Sequence, residues 1–368
     1  MKIQCNTHLL SEVCSTVQRA VSQKSTLPAI EGILMQTKNS KLLLSGYDLE
    51  MGISTSIDCK TEKEGSIVLN ARLLCDILRS LPAEKVSIQV DEHNLCRIHS
   101  GDVDFSLIGL PADDYPELPS VSGGYNLNVK QAVLKEMIRQ TIFAVSTTDN
   151  KLVHKGIKVE VFEGNLRLIA VDGFRLALRN EPISYTGDEL SFVVPSKTFV
   201  EVMRLSSSEE ENIVLNVGKR IVSFDIGGYS LVSRLLEGEF LKYKSTIPNT
   251  YSTLANVNLR LFTESIERAS LIITNKNKSP VRCIFDEDTI KISSTTALGA
   301  VNDRIPAKIE GKRLEIGFNN TYLLDALKVC DTDEIRVELN SQISPIIIKP
   351  LQGDSFLFLI LPVRLKSE

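Results

Sequence analysis

Residues 169–180 read IAVDGFRLALRN: an apolar run broken by an acid, a glycine and an arginine, and then resumed. Asp172 and Arg175 lie three residues apart, close enough to act together. An acid beside a base could serve as a general acid–base pair in a cleft. The same two residues could instead fix a turn on a surface that holds another protein. The stretch alone leaves both readings open. The other reactive side chains narrow the field. Asp113 and Asp114 are neighbouring acids in a polar, proline-containing segment, and such pairs are usually solvated. His8, His93, His99 and His154 show no spacing suited to a metal pair. Seven cysteines are scattered without a CxxC, which fits reduced thiols used as small core residues rather than a disulfide frame. No phosphate-binding GxxxxGK[ST], GxGxxG, GxSxG or HExxH pattern occurs. A catalytic reading therefore rests on Asp172 and Arg175 alone.

The elements that must position these residues repeat. Leu10, Val13, Val17 and Ala20 make one face of a helix. The spacing returns at Leu134, Met137, Thr141 and Ala144, and again at Leu259, Phe262, Ile266 and Ala269. A second helix begins near Asn70, Pro195 and Asn319, with Asn70 and Asn319 as expected N-caps. Strand patterns open at Leu42, Leu166 and Ile290, so the period is roughly 124 residues. Glycine turns recur at Gly101, Gly227 and Gly353, and VSGGYN (121–126) reads as a further hairpin turn. The expectation is three copies of one α+β domain, each with two helices on antiparallel strands, over 1–123, 124–250 and 251–368.

Length and composition agree with this. The 368 residues are 43% hydrophobic and 24% charged, the balance of a globular protein with more than one core. No apolar run approaches the ~20 residues that span a bilayer, and the N-terminus turns polar at once, unlike a signal peptide. A cytoplasmic protein without membrane contact is expected. The net charge of −4 argues against tight direct binding to nucleic acid. Its distribution is uneven, however. Arg72 and Arg79 share a face of their helix, and the corresponding positions are Lys197 and Arg204, then Thr321 and Lys328. One such face is ordinary solvated surface. Its recurrence in each copy points to a shared basic surface suited to sequence-blind phosphate contact. Lys24, Lys130, Lys135, Arg139, Lys276 and Lys278 lie on or beside the first helices and could extend it. SSSEEEN (206–212) reads as a solvated loop.

Motifs along the whole chain, in order, resemble the bacterial sliding clamp family, the beta subunit of DNA polymerase III. They are TLPAIEGILMQ (26–36), GYDLEM (46–51), LPADDYPELP (110–119), AVDGFRLAL (170–178), RLLEGEFLKYKSTIP (234–248), EIGFNNTYLLDAL (315–327) and LPVRL (361–365). The resemblance implies the DNA clamp fold. Two three-domain subunits join head to tail, and their helices line a hole around double-stranded DNA. It implies no catalysis, cofactor or metal, and a role in replicative processivity. The implied partners are a second copy of the chain, the polymerase III catalytic subunit, the clamp loader, and other proteins carrying a short clamp-binding peptide of the Gln-Leu-x-Leu-Phe kind.

Carried over by resemblance, the peptide groove comprises His154, Val171, Gly173, Phe174, Arg175, Leu176, Leu241, Thr246, Pro345, Leu361, Pro362, Val363, Arg364 and Leu365. Arg175 then reads as a structural or rim residue and Asp172 as a turn or ion-pair residue. The DNA-facing set is Lys24, Arg72, Arg79, Lys151, Lys197, Arg204 and Lys328. The subunit interface sets Phe105 and Leu107 against Leu271 and Ile272, four residues that could equally belong to their own domains' cores. The sequence departs from the family at Phe174, where many relatives carry His or Tyr, at Leu241, where many carry Pro, and at Pro345. It also extends past Leu365 with Lys366–Glu368.

Overall fold

The computed structural model describes residues 1–368 except 149–150, 275, 277–278 and 366–368. Lys278 and the terminal Lys366–Glu368, singled out from the sequence, lie outside the described residues. The chain runs three times through one order of elements: strand, helix, strands, helix, three strands. The first pass is β1 (Lys2–Asn6), α1 (Thr7–Val17), β2 (Gly32–Lys38), β3 (Lys41–Tyr47), β4 (Met51–Asp58), β5 (Lys60–Lys63), β6 (Ser66–Asn70), α2 (Ala71–Ser80), β7 (Lys85–Val90), β8 (Leu95–Ser100) and β9 (Val103–Ile108). The second is β10 (Tyr125–Lys130), α3 (Gln131–Ile142), β11 (Gly156–Phe162), β12 (Asn165–Val171), β13 (Arg175–Pro182), β14 (Leu190–Pro195), α4 (Ser196–Leu205), β15 (Asn212–Val217), β16 (Ile221–Ile226) and β17 (Tyr229–Arg234). The third is β18 (Thr253–Asn258), α5 (Leu259–Ser270), β19 (Val281–Asp286), β20 (Thr289–Thr296), β21 (Gly299–Gly311), β22 (Leu314–Phe318), α6 (Asn320–Leu327), β23 (Glu334–Leu339), β24 (Ile346–Pro350) and β25 (Phe356–Ile360).

Strand pairing repeats with the elements. The first strand of each pass lies antiparallel to the strand after the second helix: β1 with β7, β10 with β15, β18 with β23. The strand after the first helix pairs with the next strand and with the one before the second helix, as in β2, β11 and β19. Yet the compact units do not follow the passes. One unit holds Met1–Ala132 with Lys197–Leu235, the other Val133–Ser196 with Leu236–Glu368. Sheet pairing is the cause. In the first unit β17 joins β4, extending an eight-stranded sheet; in the second β13 joins β25 within a twelve-stranded one. The middle pass thus adds strands to the sheets of both its neighbours, and backbone hydrogen bonds cross each junction.

The helices obey the expected faces. Leu10, Val13, Val17 and Ala20 are buried, as are Leu134, Met137, Thr141 and Ala144. In the third pass Phe262, Ile266 and Ala269 are buried but Leu259 is only half so, because it is the first residue of α5. The equivalent of Leu10 is Phe262, so the sequence-based register of this helix slips by three residues. Three residues turn about 300°, which nearly restores the same face, so periodicity could not reveal the slip. The caps fix it. Asn6 and Asn258 accept from the N–H of Leu9 and Leu261 at 2.9 and 3.0 Å. Asn70 and Asn319 cap α2 and α6 as expected. The basic positions of α2, α4 and α6 are in register, each pair falling at the second and ninth positions from the helix start.

Gly101 and Gly227–Gly228 turn the hairpins β8–β9 and β16–β17 with positive φ. VSGGYN corrects the sequence reading. It is no hairpin turn, because β9 and β10 lie in different sheets and the segment merely connects them. No helix among the described residues is long and apolar enough to cross a membrane.

Candidate peptide-binding surface

The stretch that opened the question is the hairpin turn between β12 and β13. Val171 and Leu176 pair across it, and the N–H of Asp172 donates to the carbonyl of Arg175. One Asp172 carboxylate oxygen accepts from the N–H of Phe174 and of Arg175, both at 3.0 Å. The first pass makes the same turn between β3 and β4. There Asp48 accepts from the N–H of Glu50 and Met51 at 3.0 and 2.7 Å. Two equivalent aspartates hold two equivalent turns, so Asp172 is a device of the fold. The position after each has positive φ, +74° at Leu49 and +90° at Gly173. Nothing lies near a Cβ built on Gly173, so this glycine answers backbone conformation and not close approach.

What the second pass adds is Phe174 and Arg175. The Arg175 guanidinium reaches the second Asp172 oxygen at 2.9 Å and Asp325 of α6 at 2.5 Å. It also lies 4.5 Å from the ring of Tyr322 and 5.4 Å from that of Phe143. The side chain is 11% exposed. A guanidinium fixed between two carboxylates and against a ring is placed to anchor the turn to α6. Phe174, 57% exposed, stacks on Tyr322 at 5.9 Å. An aromatic ring half in water on a rigid turn is suited to receive a partner's apolar side chain.

The C-terminal segment runs beside this stack. The N–H of Leu361 donates to the Phe174 carbonyl and that of Val363 to Gly317, both at 2.8 Å. Leu361 and Val363 are exposed, as is Arg364, while Pro362 and Leu365 are half-buried. Leu365 packs over Gly317, where a Cβ would meet it at 2.6 Å. Leu241 and Thr246 are exposed on the 236–247 segment, and Pro345 is half-buried before β24. Three groove residues read from the resemblance sit lower than expected. Val171, Leu176 and His154 are buried, the first two in the cluster with Ile169, Phe240 and Tyr243. They form the floor beneath the surface. Tyr322 and Asp325 were missed. They are about 150 residues from Arg175 in the chain, and only their place on α6 brings them to it.

The basic residues are exposed, on α2, α4 and the end of α6 except for Lys24 and Lys151 in loops, and most are already paired. Arg79 meets Asp76 and Arg204 meets Glu201, both at 2.6 Å; Lys328 meets Glu267 at 2.9 Å; Lys197 meets Asp48. Arg72 and Lys24 are exposed and have no ion pair among the described residues. Lys151 is also exposed. Of the four interface residues, none is buried in its own domain. Phe105 and Leu107 are half-buried on β9, the edge of its five-stranded sheet. Leu271 is 80% exposed just beyond α5, and Ile272 is half-buried. Among the described residues, no group of His, Cys, Asp and Glu could hold a metal ion.

The N-terminal, central and C-terminal domain models of the DNA polymerase III beta subunit match residues 1–119, 128–242 and 244–364. The chain belongs to the DNA polymerase III beta subunit family. A beta sliding clamp of Staphylococcus aureus is 33% identical over 356 residues, covering 94% of each chain. The sliding clamp structure from Bacillus subtilis superposes with a TM-score of 0.97 at 32% identity over all of both chains. That of the beta subunit from Pseudomonas aeruginosa gives 0.93 at 27%, covering 99% of this chain and 100% of that one. Three tandem clamp domains of α+β build are thus established. As a family member the chain is an accessory sliding clamp serving DNA polymerase III processivity, with DNA and the polymerase as its partners.

Proposed function

We propose that two copies of this chain close head to tail into a ring that encircles duplex DNA and slides on it. In this reading the ring has no active site. It tethers the polymerase III catalytic subunit, the clamp loader and other partners through a short apolar peptide bound at the Phe174 surface. The observation that carries the reading is the stack of exposed Phe174 on Tyr322, locked from behind by the Arg175 ion pairs and bordered by exposed Leu361, whose N–H donates to the Phe174 carbonyl. Apolar side chains there can bury a peptide's Leu and Phe, and backbone groups of 361–365 can fix its polar ends. Weak DNA contact suits a topologically linked ring. Most of the basic side chains already share their charge with acids, so exchange onto phosphates gains little at those positions and leaves the ring free to slide. The open edge of β9 and the bare Leu271 supply the two halves of a head-to-tail seam, since an uncovered apolar edge invites strand pairing.

Fluorescence polarisation of a labelled Gln-Leu-Ala-Leu-Phe peptide tests the groove. Saturable binding is expected in the micromolar range or tighter, weakened at least tenfold by Phe174→Ala with Leu365→Ala. Sedimentation velocity tests the ring: a dimer is expected, converted to monomer by Leu271→Asp. A monomeric wild-type chain, or a peptide that binds both versions equally, would overturn the respective half of the proposal.

A further inference from the structure

The 236–247 segment carries two residues of the proposed groove, Leu241 and Thr246, but little regular structure of its own. It contains one short 3-10 turn, Tyr243–Thr246, and its Leu236 N–H donates to Val193 of the edge strand β14 at 2.9 Å. Its position over the sheet is therefore set by the side chains it sends down. Two aromatic residues do this, Phe240 and Tyr243, at 8% and 3% exposure. Phe240 meets the His154 ring edge-on at 5.6 Å, a contact without strong directional demand. Tyr243 is different. Its hydroxyl donates to Glu160 at 2.6 Å and accepts from Arg167 at 3.1 Å.

The receiving groups are built into the sheet. Glu160 of β11, Arg167 of β12 and Asn180 of β13 stand directly opposite one another across three strands. They form a polar row bordering the apolar rows of Ile169 with Leu178 and Val171 with Leu176. The row is bonded along its length and from the side: Arg167 donates to Asn180 at 2.6 Å, and Lys158 pairs with Glu160 at 2.7 Å. Glu160 and Arg167 are 14% and 18% exposed, so the row is largely desolvated. Burial, and then the bond to Glu160, push the Tyr243 phenol up to about 12, so it stays a donor at any working pH. Burial works against the Glu160 carboxylate, but the bonds from Lys158 and Tyr243 outweigh it and hold its pKa below the ordinary value.

Both groove-wall residues hang on the backbone of Tyr243. The Tyr243 N–H donates to the Leu241 carbonyl at 2.8 Å, and the Thr246 hydroxyl donates to the Tyr243 carbonyl at 2.7 Å. A shift of this one residue moves Leu241 and Thr246 together. We infer that Tyr243 is a positioning residue for the groove: clasped between Glu160 and Arg167, it sets where Leu241 and Thr246 stand against a bound peptide. The inference rests on the groove reading above. Directional bonds at a desolvated site fix a geometry that apolar packing alone leaves loose, and wall geometry decides how fast a bound peptide leaves.

The test is a double-mutant cycle on the full-length chain with the labelled Gln-Leu-Ala-Leu-Phe peptide, combining Tyr243→Phe with Leu241→Ala. Tyr243→Phe keeps the ring and removes both bonds. Expected is about a tenfold loss of affinity, carried by faster dissociation, in the wild-type background. In the Leu241→Ala background the loss should be clearly smaller, because one of the two side chains being positioned is gone. Glu160→Gln, in the same cycle, should lose affinity in the same direction, and it carries the test alone if Tyr243→Phe does not fold. Equal losses in both backgrounds, or binding within twofold of wild type, would reduce Tyr243 to a structural residue and overturn the inference. Absence of binding by the wild-type chain would instead refute the groove reading, and this inference with it.

Discussion

Truncating Arg175 to alanine should cost more than its single position suggests. The guanidinium is 11% exposed and satisfies Asp172, itself 12% exposed, and Asp325, 35% exposed. Removing one partner of a buried ion pair costs about 3–5 kcal/mol, because a charge is left without its counterpart. Asp325 can turn to water, so the lower end of that range applies, and the contact with the Tyr322 ring adds about 1 kcal/mol. A loss of about 4 kcal/mol follows. In a unit of about 200 residues, each kcal/mol lowers the melting temperature by roughly 2–4 °C, which gives about 8–16 °C. Scanning calorimetry of the full-length chain measures it. The decisive comparison is Arg175→Ala with Asp325→Asn. Neutralising the stranded acid should recover part of the loss, so the double variant should melt higher than Arg175→Ala alone. Melting of Arg175→Ala within 2 °C of wild type, or a double variant that melts lower still, would refute the reasoning that Arg175 is an anchor between two carboxylates.

Three further outcomes are expected. Arg72→Ala should weaken binding to duplex DNA equally across sequences and reduce the steepness of its salt dependence by about one unit, whereas Asp76→Asn, which frees Arg79, should strengthen binding; salt titrations of DNA affinity check both. The native thiols should resist a thiol-specific disulfide reagent at pH 8 and react on unfolding, because burial pushes Cys5, Cys96, Cys283 and Cys330 up to about 12 and Cys75 to about 11. At Asp303, burial acts to raise the carboxyl pKa, but bonds from Arg268, Ser265 and the Arg304 N–H bring it below the usual value. The folded value lies under the unfolded one, so this stabilisation is complete above about pH 4 and is lost as the pH falls through the folded value. Arg268→Gln should therefore narrow the difference in melting temperature between pH 5 and pH 3.

Much of the fold was legible in the chain. The period of Leu10, Leu134 and their neighbours, and the matching strand patterns, marked three copies of one unit. Apolar residues must return to the same face whatever surrounds them, so periodicity survives in one dimension. The slip of α5 shows its limit: a shift of three residues leaves the helical face almost unchanged, and only Asn258 in its cap position resolved it. The compact units were equally hidden. Whether β17 joins β4, and β13 joins β25, depends on edge-to-edge hydrogen bonding between segments far apart in sequence.

The candidate site divides the same way. The sequence by itself determined that Asp172 and Arg175 interrupt an apolar run and left them open between an acid–base pair and a turn, and family motifs drew attention to Phe174 and the LPVRL terminus. Tertiary structure decided the rest. It placed Asp325 and Tyr322 against Arg175, sank Val171, Leu176 and His154 beneath the surface, and set Tyr243 between Glu160 and Arg167. It also joined Lys197 to Asp48 and Lys328 to Glu267, whereas Arg79 with Asp76 and Arg204 with Glu201 are ordinary i,i+3 pairs within a helix. Local patterns record what each residue needs from its own strand or helix. Charges and rings that are satisfied by distant segments leave no such pattern, because their partners are fixed only when the sheets assemble.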